Sequence, residues 1–290
     1  MKQLFILLMA LTALKSNGQL LTATRAKHLE ECTVRISVNG GQSIGTGFFI
    51  DPRGIVLTCF HVITPCLKYN AKTKLFEIGS IQIETHDGEK IEYSPLGELS
   101  NAADTLSIYD VCILVPKIST SKSTPFLKIG NFSNVADGDE VVTCGYPFGS
   151  RNSFMTRGMI GSKTVDTIFQ KHTDGSVSKT LRNEALIDIT MNKGNSGGAI
   201  YKIGDNESQD EVVGIADFII TPVGNDIVAL GDSLKASNQS GSYATIMGIN
   251  PNKAMDMIVT TLANSSDGVS GCISIEYLQH LIAIANKAKH

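Results

Sequence analysis

The chain has 290 residues, 42% of them hydrophobic and 18% charged, with a formal net charge of −3. That apolar fraction supplies sizeable cores, and the lack of a basic excess argues against a nucleic-acid partner. The apolar run Leu4–Leu14, broken only by Thr12, is 11 residues long. It is too short to span a bilayer as a helix, and no comparable run follows, so no membrane span is expected.

Taken in chain order, Lys2, that run and the polar exit Lys15-Ser16-Asn17-Gly18 read as a signal peptide over residues 1–18. Small residues precede Gln19 at the −3 and −1 positions, and no cysteine just after the run suggests a lipid anchor. The expected destination is therefore outside the cytoplasm, periplasmic or extracellular. A helical pattern over Leu20–Glu31 leads into short strands at Thr33–Val38, Ile44–Ile50, Ile55–Cys59, Ser80–Glu84, Lys90–Tyr93 and Val111–Val115. The second half repeats the pattern at Glu140–Gly145, Met155–Lys163, Glu184–Thr190, Ala199–Ile203 and Val212–Ile219. Its closing strand is either Tyr243–Ile249 or Gly271–Ile275. The polar stretch Thr221–Ser240 reads as a surface loop, and Pro251–Ala263 and Ile275–Lys287 read as helices. Short strands separated by turn signals argue for closed barrels. The expected fold is all-β: two six-stranded antiparallel β-barrels, residues 32–120 and 135–290, with short terminal helices.

Six cysteines follow the signal segment: Cys32, Cys59, Cys66, Cys112, Cys144 and Cys272. An even count in an exported chain invites disulfides. Cys59, Cys112 and Cys144 sit inside apolar runs, where cysteine acts as a small hydrophobe, so one or two bridges at most are expected. No spacing resembles a zinc ligand set, and no metal is expected.

The chemistry gathers at Gly194-Asn195-Ser196-Gly197-Gly198. Glycines let the backbone take a tight turn that presents the serine hydroxyl and aims successive N–H groups into one hollow, as an oxyanion hole requires. A histidine and a carboxylate lie upstream. His61 lies near the end of the apolar run Gly54–Ile63, which reads as a buried strand, a setting the other five histidines lack. Asp110 leads directly into the apolar run Val111–Pro116, at the mouth of a strand, where it can accept from an imidazole Nδ1–H. Asp104 competes with it but has the neighbours of a solvated loop. The chain order is His61, Asp110, Ser196, with separations of 49 and 86 residues.

These segments resemble the trypsin-like serine proteases, and among them the bacterial HtrA (Deg) branch. The resemblance rests on Val34-Arg35-Ile36-Ser37, Gly45-Thr46-Gly47-Phe48-Phe49-Ile50-Asp51 and Leu57-Thr58-Cys59-Phe60-His61-Val62-Ile63. It continues through Leu127-Lys128-Ile129-Gly130 and Gly138–Gly149, with its Gly-Tyr-Pro-Phe-Gly element, to Asp188–Gly198. It covers roughly residues 32 to 290, loosely after 216. Cys59-Phe60 and Ala199 depart from the usual residues without removing a catalytic atom. HtrA proteases carry a PDZ domain after the protease, and the chain ends too soon for one, so peptide-triggered activation is not carried over.

The resemblance implies a chymotrypsin-like double barrel and a serine endopeptidase acting on polypeptides through an acyl-enzyme, with no cofactor. Ser196 would be the nucleophile, His61 the base, Asp110 its orienting acid, and the N–H groups of Gly194 and Ser196 the oxyanion hole. Thr190, six residues before the nucleophile, would form the base of the primary pocket and favour small or medium apolar side chains. Asp188, two residues earlier, would admit Lys or Arg only if the local turn differed. Two alternatives stay open: a catalytically silent protease-fold protein that holds peptides, and an esterase with the same triad. The chain order and the lack of alternating strands and helices count against the α/β-hydrolase version of the latter. Oligomeric state is not legible in the residues.

Overall fold

The computed structural model describes residues 21–41, 43–73, 75–97, 108–118, 123–171, 176–219, 233, 234, 236, 250–263, 268–278 and 281. Six strands close the first barrel: β1 (Thr33–Val38), β2 (Ser43–Asp51), β3 (Ile55–Thr58), β6 (Ile81–Glu84), β7 (Lys90–Pro95) and β8 (Cys112–Pro116). They run in the order β1-β2-β3-β8-β7-β6. Between β3 and β6, β4 (Leu67–Asn70) and β5 (Leu75–Ile78) form a separate hairpin. The second barrel runs β10-β11-β14-β13-β12-β9. Its strands are β9 (Glu140–Gly145), β10 (Phe154–Lys171), β11 (Val177–Asp188), β12 (Ala199–Lys202), β13 (Glu211–Ile219) and β14 (Val269–Ser274). All strand pairings are antiparallel.

The alternation of β1 explains its place. Val34, Ile36 and Val38 point inward and are fully buried, beside Phe48, Leu57, Ile81 and Ile83. Each such side chain contributes about 1.5–3 kcal/mol on leaving water. In the second barrel Val141, Ile160, Ile187, Ile200 and Val213 do the same.

Helix α1 (Ala23–Cys32) starts at Thr22, whose hydroxyl accepts from the Arg25 N–H at 3.3 Å. Arg25, Leu29 and Cys32, spaced by four and three residues, share its buried face. Arg25 Nε lies 3.1 Å from Asp210 Oδ2, and its Nη1 donates to the Gly204 carbonyl at 3.2 Å. A helix that precedes the first barrel is thereby tied to a loop of the second.

Several expectations are adjusted. β10 and β11 extend well past Met155–Lys163 and Glu184–Thr190, forming a long two-stranded ribbon, and β11 stops before Thr190. The β4–β5 hairpin was not expected. The closing strand is the Gly271–Ile275 candidate, set at Val269–Ser274, while Tyr243–Ile249 lies outside the described residues. So do the signal-peptide segment, Asp104, nearly all of Thr221–Ser240 and most of Ile275–Lys287. Helix α3 (Pro251–Ala263) has the expected bounds. No disulfide framework forms: all six cysteines are free and buried.

Candidate active site

Thr46 on β2 fastens the two barrels together. Its N–H donates to the Ser196 carbonyl at 2.9 Å and its hydroxyl to the Gly194 carbonyl at 2.6 Å, while the hydroxyl accepts from the Tyr146 N–H at 3.0 Å. Its own carbonyl accepts from the Thr58 hydroxyl at 2.7 Å. The serine turn is thus held by a strand of the opposite barrel.

Two glycines of that turn need their freedom. Gly194 has φ +106° and packs against the Tyr146 carbonyl; Gly197 has φ +89° and packs against the Thr46 carbonyl and the Thr58 hydroxyl. A Cβ at either would both strain the backbone and overlap a fixed oxygen. The Phe148 N–H donates to the Lys193 carbonyl at 2.6 Å, drawing that carbonyl toward the turn at Pro147–Gly149. Among the described residues, the N–H groups of Gly194 and Ser196 have no hydrogen-bond acceptor.

His61 is the exposed residue of α2 (Phe60–Ile63), a single helical turn after β3 whose other residues are buried, and is not at the end of a buried strand as expected. The chain leaves the sheet at Cys59, and Pro65 lies one turn on. Asp110 takes up φ +48° just before β8 and grips His61 twice. Its Oδ1 accepts from the His61 backbone N–H at 2.7 Å, and its Oδ2 lies 2.5 Å from His61 Nδ1. An ionised carboxylate only accepts, so Nδ1 carries the hydrogen and Nε2 faces outward as the basic nitrogen. Behind Asp110, Tyr109 stacks on Tyr277 with centroids 4.2 Å apart, bracing this turn against the end of the second barrel.

A second acid, Asp217 on β13, was not singled out by sequence. Its Oδ1 lies 3.7 Å from the same Nδ1, its Oδ2 lies 3.5 Å from Arg182 Nη2, and its side chain is largely buried. Arg182 is paired more closely with Glu184 and also donates to the Ile108 carbonyl, two residues before Asp110. The signal was available: an acid in the middle of the apolar run Val212–Ile219 is expensive to bury without partners.

The electrostatics follow. Burial disfavours the His61 imidazolium, but the Asp110 hydrogen bond and the charges of Asp110 and Asp217 outweigh it and raise its pKa. Burial likewise disfavours ionised Asp110, yet hydrogen bonds from His61 and Asp217 hold its carboxyl below the usual range. Asp217 goes the other way, pushed up to about 8 by burial, by its hydrogen bond to Asp110 and by that neighbour's charge.

Ser196 Oγ hydrogen-bonds the Asp217 carbonyl at 3.4 Å, and no hydrogen bond joins it to His61. Such contacts often tighten only when substrate is bound. Thr190 and Asp188 are both exposed, and each has an oxygen 3.9 Å from where a Cβ on Gly268 would lie. Both oxygens thus lie beside Gly268, just before β14.

Ligand atoms of Cys59, His61, Asp110 and Asp217 lie within 4.8 Å of one another. This is a poor metal set. Burial pushes the Cys59 thiol well above its ordinary value, its Sγ donates to the Ala216 carbonyl at 3.2 Å, and His61 Nδ1 is taken by Asp110.

A family model described as a trypsin-like peptidase domain matches residues 45–215. A probable periplasmic serine endoprotease, DegP-like, of Rickettsia conorii is 29% identical over 184 residues, covering 63% of this chain and 30% of its own. A putative protease Do-like 14 of Arabidopsis thaliana is 29% identical over 210 residues, covering 69% and 43%. The chain thus spans less than half the length of these relatives. Among solved structures, the HtrA-type protease AlgW with a tripeptide aligns over 90% of this chain and 62% of its own, with TM-score 0.57 and 16% identity. At that identity the likeness speaks for the fold, a chymotrypsin-like pair of barrels.

Proposed function

Since the chain belongs to the trypsin-like peptidase domain family, we propose that it is a serine endopeptidase that cleaves polypeptides through a Ser196-His61-Asp110 triad. The observation that carries this reading is the 2.5 Å contact between His61 Nδ1 and Asp110 Oδ2, with the Ser196 turn strapped opposite by Thr46. In this reading the Ser196 hydroxyl turns from the Asp217 carbonyl toward Nε2, gives up its proton there and attacks the peptide carbonyl. Asp110 holds the tautomer and offsets the imidazolium charge. The free N–H groups of Gly194 and Ser196 receive the oxyanion, at about 3 kcal/mol per donor. His61 returns the proton to the leaving amine, and water then hydrolyses the acyl-enzyme.

Thr190, as the base of the primary pocket, favours small or medium apolar side chains before the cut, because it offers no counter-charge to a buried cation. Export to the periplasm or the extracellular space is part of the proposal, supported by residues 1–18 and by the periplasmic relatives.

One observation favours a second reading, a silent peptide-binding protein: the Ser196 hydroxyl is turned to a carbonyl and not to the imidazole. Digestion of denatured casein separates the two. The chain should cut it after Val, Ala or Leu, as read by mass spectrometry, and the Ser196→Ala variant should not. Intact casein would favour the silent reading, hydrolysis of simple esters alone an esterase, and cuts mainly after Lys or Arg would bring Asp188 into the pocket.

A further inference from the structure

His61 Nδ1 faces two acids from different barrels, Asp110 at 2.5 Å and Asp217 at 3.7 Å, and both carboxylates are largely buried. An oxygen of one lies within 4.8 Å of an oxygen of the other, and two carboxylates so close do not both ionise cheaply. Every charged or titratable group packed around Asp217 bears on which one does. His61 comes from α2, Asp110 from the turn before β8, and Arg182 from β11 at 3.5 Å, its charge largely met by Glu184. The thiols of Cys59 and Cys272, raised by burial, stay protonated and add no charge.

We propose, building on the peptidase reading, that Asp217 is a positioning residue of the site. As the neutral acid it donates a hydrogen bond to the Asp110 carboxylate, and on ionising it adds a second negative charge that holds the proton on His61.

The bookkeeping of protons is simple. With His61 protonated, Asp110 ionised and Asp217 neutral, the cluster can lose its next proton from either His61 or Asp217. Those two products are tautomers, and the step belongs to the cluster and not to one residue. Only the product with neutral His61 can serve as a base. Burial and the neighbouring Asp110 raise the Asp217 pKa to about 8, so Asp217 competes with His61 for that release and raises the pH at which the free imidazole predominates. Asn at 217 keeps the donor to Asp110 and can never ionise. His61 in Asp217→Asn should therefore lose its proton at lower pH.

The test uses nitrogen-15 histidine NMR on full chain carrying Ser196→Ala, which suppresses self-digestion, with His61→Gln to assign the resonance. Adding Asp217→Asn should lower the His61 titration midpoint by about 1 pH unit, the scale on which an adjacent carboxylate acts. An unchanged midpoint overturns the proposal. Should the double variant not fold, carbon-13 aspartate labelling of the Ser196→Ala chain decides. One carboxyl should titrate near pH 8, and a full set confined to the ordinary range around 4 overturns it. Neither measurement needs turnover, so inert casein would remove the peptidase reading while leaving this one standing, and the reverse holds too.

Discussion

Asp110 holds His61 at two points, ring and backbone, so it sets both the tautomer and the position of the turn that carries it. Replacing it by Asn keeps the shape but lets the amide meet the ring with either atom, and the imidazolium loses its neighbouring charge. Asp110→Asn should lower kcat/KM for a peptide substrate by about 10⁴. A loss under about tenfold would take Asp110 out of the triad. That residue was legible because an acid opening an apolar strand is conspicuous. Asp217 was less so: it lies within a run that reads as ordinary strand, and its importance depends on a barrel it does not belong to. His61 was picked out by sequence but given the wrong setting. An apolar run does not announce that the chain leaves the sheet at Cys59, and only the turn to α2 frees the ring for solvent.

Among the elements, α1 packs Leu29 and Cys32 into the apolar core, and one buried ion pair ties it to the second barrel. Arg25 and Asp210 have side chains exposed by only 6% and 2%, which leaves solvent little part in screening them. Burial, helped by the charge of Glu207, raises the Asp210 pKa, and the Gly204 N–H and Arg25 counter it. Arg25→Ala would strand a buried acid, at a cost of about 3–5 kcal/mol in urea unfolding. A change under about 1 kcal/mol would mean that α1 is not fastened this way. Strands whose apolar residues meet a barrel interior, such as Thr33–Val38 and Glu140–Gly145, were read to the residue. The β4–β5 hairpin escaped because its eight residues are all exposed or half-buried and give no inward face to recognise. The outer parts of β10 and β11 escaped for the same reason: beyond the barrel a ribbon has two wet sides and no alternation to follow.

At the scale of the molecule, one apolar cluster runs from the first barrel into the second and a smaller one fills the second, while neither barrel holds a complete candidate site. His61 and Asp110 flank the end of the first; Ser196, Asp217 and Arg182 belong to the second, and Thr46 binds one to the other through the serine turn. Two six-stranded barrels could be read from strand count and turn spacing, whereas the registration of one against the other rests on hydrogen bonds and apolar packing between residues far apart in the chain. The account stands on Ser196 being a nucleophile activated by His61. Labelling with a fluorophosphonate probe, followed by peptide mass spectrometry, asks this directly. The chain should be modified once, at Ser196, with labelling abolished in Ser196→Ala and nearly so in His61→Gln. Modification elsewhere, or labelling that survives in either variant at its full rate, would contradict it.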